Sequence, residues 1–391
     1  MQYTTAGESH GAKLVTIVTD VPAGFALASE RINSDLARRQ SGYGRGGRMS
    51  IETDKAQILS GLRFGRTLGT PIALEIANKD WQNWQERMAT EGVAPANLKI
   101  ETAPRPGHAD LAGAQKLGRN DCRDILERAS ARETAARVAA GAVARAYLAN
   151  FGVEISSYVT RIGKVALPPE LIARKQAVFS TEKIENSAVR CPDAKTTDAI
   201  ILAIDDARTK GESLGGCFNV VATGVVPGIG HFAQASKRLD SQMAAAIVSI
   251  PAIKGVEFGL GFASGSLFGS EVHDAIVIGE AGDGRIQPIR ATNNAGGIEG
   301  GMSNGESIVI SAVMKPIPTL TSPLRTVDLL THQSREASKE RSDIVAVPAC
   351  AIVAEAECAM VLANAYIDKF GADTLADALV AFNNYIDRLI K

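Results

Sequence analysis

The chain has 391 residues, 45% hydrophobic, 22% charged and 5% aromatic, enough to bury one large core or two moderate ones. Its formal net charge of −1 provides no overall field for nucleic acid or an acidic membrane, so any anion binding must come from local clusters. No uncharged apolar run reaches membrane-spanning length, the N-terminus lacks a basic-then-apolar signal, and Cys122, Cys191, Cys217, Cys350 and Cys358 lack CxxC spacing. These features predict a soluble cytoplasmic enzyme with reduced thiols, without a disulfide frame or a metal site.

Residues 13–21 (KLVTIVTDV) read as a strand, followed by the Pro22-Ala23-Gly24 turn and a short helix from Ser29. The next loop, RRQSGYGRGGR (38–48), carries four arginines and no acid. Glycines let the backbone approach a ligand, and guanidinium forks suit phosphate or carboxylate. Alone, the loop reads first as a solvated basic segment, with an RNA contact a second possibility; with Arg105, Arg128 and Arg132 added, a small polyanion becomes the better reading. Residues 72–76 are another strand. Residues 78–104 are polar, hold both tryptophans and read as a surface excursion.

The stretch from Arg105 to Leu148 organises the rest. Its opening turn, Arg105-Pro106-Gly107-His108, places a guanidinium and an imidazole three residues apart. Ser130 and Glu133 have capping-box spacing, so an alanine-rich helix is expected to start there, with Ala131 and Arg132 in its first turn. Arg128 and Arg132 add cations to an already positive helix end, which reads as a phosphate or carboxylate socket. Further on, strands are expected at 153–167, 217–226, 274–278 and 307–314, and helices near 196–210, 348–365 and 373–390. Strands and helices come in blocks, which argues α+β with antiparallel sheets over a doubly wound parallel sheet.

One repeat shapes the architecture. Gly7-Glu8-Ser9, a strand, Val21-Pro22 and SERINSDLA (29–37) return 204 to 207 positions later. The second copy is Gly211-Glu212-Ser213, a strand, Val226-Pro227 and SKRLDSQMA (236–244). The chain, 1–391, therefore reads as one domain of two related halves beginning near Gly7 and Gly211. The first copy has His10 where the second has Leu214, and Arg38-Arg39 where the second has Ala245-Ala246.

His10 and His108 each sit in a glycine-bounded turn beside arginine-bearing segments. A lone turn histidine is more often structural, but this pairing favours proton donation. Neither has HxxxH or HxH spacing, which argues against metal. The glycine-dense stretch 293–305 is not GxGxxG, and no GxxxxGK[ST] occurs, which counts against Rossmann or P-loop nucleotide binding. It reads as plain turns or as backbone lying against a flat cofactor. Lys315-Pro316-Ile317-Pro318-Thr319 is a rigid turn. Asp343 could cap the following helix or act as an acid/base partner.

Together, GESHG (7–11), RRQSGYGRGGR (38–48), RPGHAD (105–110), RASARETAARVAAGA (128–142), KGVEFGLGF (254–262), NNAGGIEGGMSNGE (293–306), KPIPT (315–319) and RSD (341–343) resemble the chorismate synthase family, over residue 4 to about 365. The resemblance implies a β-α-β sandwich with helices between antiparallel sheets, assembled as a homotetramer. It implies an anti 1,4-elimination of phosphate from 5-enolpyruvylshikimate 3-phosphate, giving chorismate, with reduced FMN as cofactor. By the same resemblance, His10 lies near the substrate phosphate, His108 near the flavin pyrimidine ring, and Asp343 assists proton transfer at flavin N5. Arg39, Arg45, Arg48, Arg105, Arg132 and Arg341 match substrate-binding arginines, although Arg39 and Arg45 also match an NADP assignment. Ser130, Ala131, Arg132, Pro251, Ala252, Gly300, Lys315, Pro316, Ile317, Pro318, Thr319 and Arg341 match flavin contacts. With no dinucleotide fingerprint, NADPH is expected only as an electron source, through an external flavin reductase. An RNA-binding protein and a flavin-independent phospho-sugar lyase are the rival readings. Two departures from the family pattern, the Val226–Gly230 turn and Glu357, bear on packing and subunit contacts.

Overall fold

The structure, a computed structural model, describes residues 1–46, 52–172, 179–280, 286–340 and 342–389. Two antiparallel sheets enclose layers of helices, an α+β sandwich. In chain order the framework is β1 (Gln2–Ala6), β2 (Lys13–Thr19), α1 (Ser29–Gln40), β3 (Ala56–Ile58), β4 (Ile72–Ala77), α2 (Asp110–Leu117), α3 (Arg123–Ala129) and α4 (Thr134–Leu148). It continues with β5 (Glu154–Ile162), β6 (Val165–Ala166), α5 (Ala194–Lys210), β7 (Gly216–Thr223), α6 (Leu239–Val248), β8 (Ile253–Phe258), β9 (Ile308–Met314), α7 (Val347–Phe370) and α8 (Leu375–Leu389).

One sheet has the order β1-β2-β4-β3, the other β8-β9-β7-β5-β6. On β2 and β4 alternate residues (Leu14, Thr16 and Val18; Ile72, Leu74 and Ile76) are buried, the period-2 pattern of a sheet covered on one face. Helices α4 and α1 cover this sheet, and Thr16 Oγ1 donates to the carbonyl of Ala136 at 2.9 Å. Helices α7 and α6 cover the other. Helix α7 is long and apolar enough to span a membrane by length and composition, which the sequence reading did not anticipate, yet most of it is buried inside the protein.

The two helical layers meet chiefly where α4 crosses α7, and the alanines there allow close approach. A Cβ on Gly141 would lie 2.3 Å from Ala356 Cβ and 2.4 Å from its Cα, closer than atoms tolerate. Gly141→Ala is therefore expected to destabilise the fold by about 1–3 kcal/mol, since α4 and α7 must separate to accommodate one methyl. Urea unfolding checks this, and an unchanged midpoint would contradict the packing described.

Several expected elements are revised. The stretch 153–167 is not one strand but the β5–β6 hairpin, reversing at Gly163, whose φ is +55°. The strand expected at 274–278 runs Ile276–Glu280 and pairs with Ile286–Arg290 as a separate ribbon. Ser130 does not form a capping box. Its Oγ accepts only the Arg132 N–H, at 3.3 Å, and a 3-10 turn (Ala131–Glu133) precedes α4. Glu133 pairs forward with Arg137 at 2.9 Å, one turn into the helix, instead of reaching back. The repeated segments each run strand then helix, β2 to α1 in one layer pair and β7 to α6 in the other. We propose that the chain is one domain of two such halves. Superposing the segments that begin at Gly7 and Gly211 tests this, and unlike topology would reject it.

Candidate active site

A cleft of about 910 Å³ opens where the turn after β1, the loop after α1, the turn at 105–109, α3, the Ala131 turn and the segment after β9 converge. Eight arginines and three lysines line it, against five acids. One flank is apolar, formed by Pro251, Ala252, Met314, Ile317 and Pro318. His10, His108, Asp343, Arg39, Arg45, Arg105 and Arg132 all reach this cleft, as do Ser130, Ala131, Pro251, Ala252, Lys315, Ile317, Pro318 and Thr319. Gly300 does not. It sits in the tight hairpin Ile298–Ser303, away from the lining, and Pro316 is likewise absent from the cleft wall. Arg48 and Arg341 lie outside the described residues.

The arginines are held by acids from elsewhere in the chain. Arg132 places Nη1 2.6 and 2.7 Å from the two oxygens of Asp54 and donates from Nε to Asn78 Oδ1 at 2.9 Å, fully inside the wall. Arg39, also buried, donates to Thr134 Oγ1 at 3.0 Å and to the Ala131 carbonyl at 2.8 Å, with Asp54 3.6 Å away. Burial lowers its pKa to about 10, with Asp54 opposing and the neighbouring Arg132 and Arg45 reinforcing the shift. A basic loop offered to solvent or RNA would not enclose this guanidinium. Arg128 lines the cleft as well, and it donates to the carbonyls of Thr5 at 2.9 Å and Gly7 at 3.3 Å, pinning the end of β1.

At the other end, Arg105 donates from Nε to Asp110 Oδ2 at 2.9 Å and from Nη1 to Thr319 Oγ1 at 3.0 Å. Asp110, the first residue of α2, also takes His108 Nδ1 at 2.5 Å, and Arg105 Nη2 lies 3.1 Å from the same nitrogen. Burial alone would raise the Asp110 carboxyl, but the hydrogen bonds from His108 and Arg105 hold it well below the usual range. Lys315 Nζ donates to the Gly107 carbonyl, tying the KPIPT segment to this turn. Asp343 does not cap α7, which starts at Val347. It accepts the Gly46 N–H at 2.6 Å and stands 3.4 Å from Arg45 Nη1, fixing the end of the glycine loop.

His10 is buried with Nδ1 2.9 Å from Glu127 Oε1, and its backbone N–H donates to Glu127 Oε2 at 2.7 Å. Its ring stacks on Trp84 at 3.9 Å between centroids and 20° between planes. The stretch 78–104 is thus more than a surface excursion, because Trp84 and residues 98–101 form a wall of the cleft. Glu357 is buried inside the subunit, accepting from Tyr3 Oη at 2.7 Å and from Arg137 at 3.1 Å, and burial raises its pKa. Asp54, Asp110, Glu127 and Trp84 were missed by the motif reading. Only Asp110 and Glu127 had a local signal, each within five residues of the arginine it binds.

The family model described as chorismate synthase matches residues 1–367. A chorismate synthase of Moorella thermoacetica is 51% identical over 392 residues, covering 100% of both chains. One of Aquifex aeolicus is 50% identical over 394 residues, covering 100% of this chain and 98% of the relative. The chain belongs to the chorismate synthase family. A crystal structure of a chorismate synthase superposes with a TM-score of 0.79 at 41% identity, over 99% of this chain and 98% of the other. The α+β sandwich expected from the motifs is therefore the fold of a solved chorismate synthase. As a member of this family, the chain is a carbon–oxygen lyase acting on a phosphate ester, in the shikimate pathway.

Two buried guanidinium nitrogens, Arg39 Nη1 and Arg132 Nη2, have no hydrogen-bond partner among the described residues, although Asp54 stands 3.6 Å from the first and Glu52 3.9 Å from the second. A buried N–H left in this state costs about 1–3 kcal/mol unless an acceptor arrives. Together with the apolar residues of the same cleft, its arginines fit a phosphorylated ligand that also carries a flat, uncharged portion, the chemistry of both a flavin mononucleotide and a phosphorylated ring acid.

Proposed function

We propose that this chain converts 5-enolpyruvylshikimate 3-phosphate to chorismate by anti 1,4-elimination of phosphate, with reduced FMN in the same cleft. The observation that carries this is the convergence of Arg39, Arg45, Arg105 and Arg132 with both His10 and His108 on one cavity that also has an apolar flank. A substrate with one phosphate and two carboxylates can enter such a cavity only if counter-charges are already in place. Arg39, Arg45, Arg105 and Arg132 supply them and orient the ring, with Arg48 and Arg341 proposed to complete the set.

His10 donates a proton to the departing phosphate oxygen as the C–O bond breaks. His108, fixed by Asp110, holds the pyrimidine edge of the flavin. Asp343 would assist proton transfer at flavin N5, so that the ring hydrogen lost in the elimination has an acceptor. Ser130, Ala131, Pro251, Ala252, Lys315, Ile317, Pro318 and Thr319 would hold the cofactor against the apolar flank, with Pro316 shaping the turn; Gly300 could do so only from a neighbouring subunit. When bound, reduced FMN supplies transient electron density that assists C–O cleavage without net redox change. The arginines bind substrate in this reading, and NADPH serves only an external flavin reductase.

Assembly as a homotetramer is supported by the apolar residues that Ile276, Ile278 and Ile286 expose on the separate ribbon. We infer a cytoplasmic location, to which five free cysteines are suited. The deciding experiment is an anaerobic assay on 5-enolpyruvylshikimate 3-phosphate with and without chemically reduced FMN. Equimolar chorismate and phosphate, only with reduced FMN, is the expected result. Turnover without flavin would replace this reading with a flavin-independent lyase, and no turnover in either case would reject it.

A further inference from the structure

We propose that Glu127 is a positioning residue that commits His10 Nδ1 as a hydrogen-bond donor and so presents the other ring nitrogen, Nε2, for proton delivery to the leaving phosphate. This rests on the reading of His10 as the proton donor. Glu127 is 2% exposed, and both of its oxygens are turned to His10, one 2.9 Å from Nδ1 and the other accepting the backbone N–H at 2.7 Å. The imidazole is thus held by its edge on α3 and by its face on Trp84, so the ring can neither tilt nor flip. Burial works to raise the Glu127 carboxyl, but hydrogen bonds from the His10 ring and backbone and from Arg123 hold it below its ordinary value. An ionised acceptor takes an N–H at Nδ1, so the proton that leaves is the one the imidazolium carries at Nε2, and the ring left behind is the Nδ1–H imidazole.

The charges around the pair fit this task. Arg123 donates to Glu127 Oε1 at 3.0 Å, but its other nitrogen is occupied by Glu340 at 2.7 Å. Arg123 and Arg87 lie over the Trp84 ring, at 5.2 and 5.5 Å. Arg128 is turned to the carbonyls of Thr5 and Gly7. His108 differs in that an arginine faces the imidazole itself, Arg105 Nη2 standing 3.1 Å from its Nδ1.

Glu127→Gln keeps the shape and removes the charge. It is expected to lower kcat about 100-fold while KM stays within about threefold, the signature of a lost transition-state contribution. Nitrogen-15 imidazole spectra should show Nδ1 protonated in both the charged and the neutral wild-type ring, and a mixture of neutral tautomers in Glu127→Gln. Glu127→Asp, which keeps the charge at shorter reach, should lose less, and it carries the test if Glu127→Gln does not fold. The double variant with His10→Gln should be no slower than His10→Gln alone, because Glu127 acts through His10. Unchanged kcat in Glu127→Gln, a loss confined to KM, or an additive double variant would overturn the assignment. If His10→Gln itself retains full turnover, the proton-donor reading fails, which is a separate result from failure of Glu127 to position it.

Discussion

Glu355→Gln is expected to cost about 3–5 kcal/mol of unfolding free energy, among the largest losses available to a single substitution that adds no atoms. Glu355 is 0% exposed at the centre of α7. It accepts from Arg38 of α1 at 2.8 and 2.9 Å, from Arg145 of α4, and from Ser157 of β5 at 2.6 Å, with Arg190 3.5 Å away. Asp35 shares Arg38 at 3.0 Å and Arg145 at 3.5 Å. Removing one negative charge leaves three guanidinium groups around a single remaining interior acid, so the cost is that of uncompensated buried charge and not of one lost hydrogen bond. The pH dependence follows. Burial opposes ionisation, but Arg145, Arg38 and Arg190 hold the Glu355 carboxyl at about 2, below its ordinary 4.5. A depressed carboxyl contributes stability that is present above 4.5 and is lost as pH falls toward about 2. Urea unfolding between neutral and acid pH should therefore show wild type and Glu355→Gln converging at the acid end. A constant gap at all pH values would mean that the charge is not what holds the layers.

The sheet framework and long helices were legible because they obey one period over many residues. Leu14, Thr16 and Val18 alternate cleanly, and the alanines of α4 tolerate no other reading. The elements that escaped are short or half-polar. Strand β1 is QYTTA with no fully buried position, β3 has three residues, and α2 and α3 have eight and seven. Such segments are set by what packs on them and not by their own pattern. The capping box was misread because Ser130 is spent on a 3-10 turn and on Ser9, while Glu133 finds a stronger partner in Arg137.

The cleft shows the same limit. Its cations were visible as arginine clusters, and its glycine loop as a place where side chains are missing. Its acids were not, because an interior ion pair has no characteristic spacing: Asp54 meets Arg132 across 78 positions. Without them the sequence suggested bare positive charge awaiting a ligand. The structure instead has guanidinium groups oriented from within, Arg132 by Asp54 and Asn78, Arg39 by Thr134 and the Ala131 carbonyl. Preorganisation of this kind reduces the reorganisation that binding would otherwise require.

Arg132→Ala should lose both stability and activity, and the two losses should separate in a double variant. Alone, the substitution strips Asp54 of its two contacts at 2.6 and 2.7 Å and leaves it buried with only Arg39 at 3.6 Å. A buried carboxylate left in that position costs about 3–5 kcal/mol. Adding Asp54→Ala removes the stranded carboxylate but also takes from buried Arg39 the acid 3.6 Å away, so Arg132→Ala/Asp54→Ala should recover part of the lost unfolding free energy, the part that lies in the unpaired Asp54. Activity should not follow. The guanidinium that would meet the substrate or cofactor phosphate is still missing, and a charge-assisted contact of this type is worth about 1.5–3 kcal/mol, roughly 10- to 150-fold in kcat/KM. Urea midpoints and anaerobic kcat/KM on the same three proteins decide the matter. Recovery of both in the double variant would make Arg132 a structural partner of Asp54 and remove it from the ligand-binding set. Recovery of neither would mean that Asp54 itself, through Arg39, has a task that the ion pair does not account for.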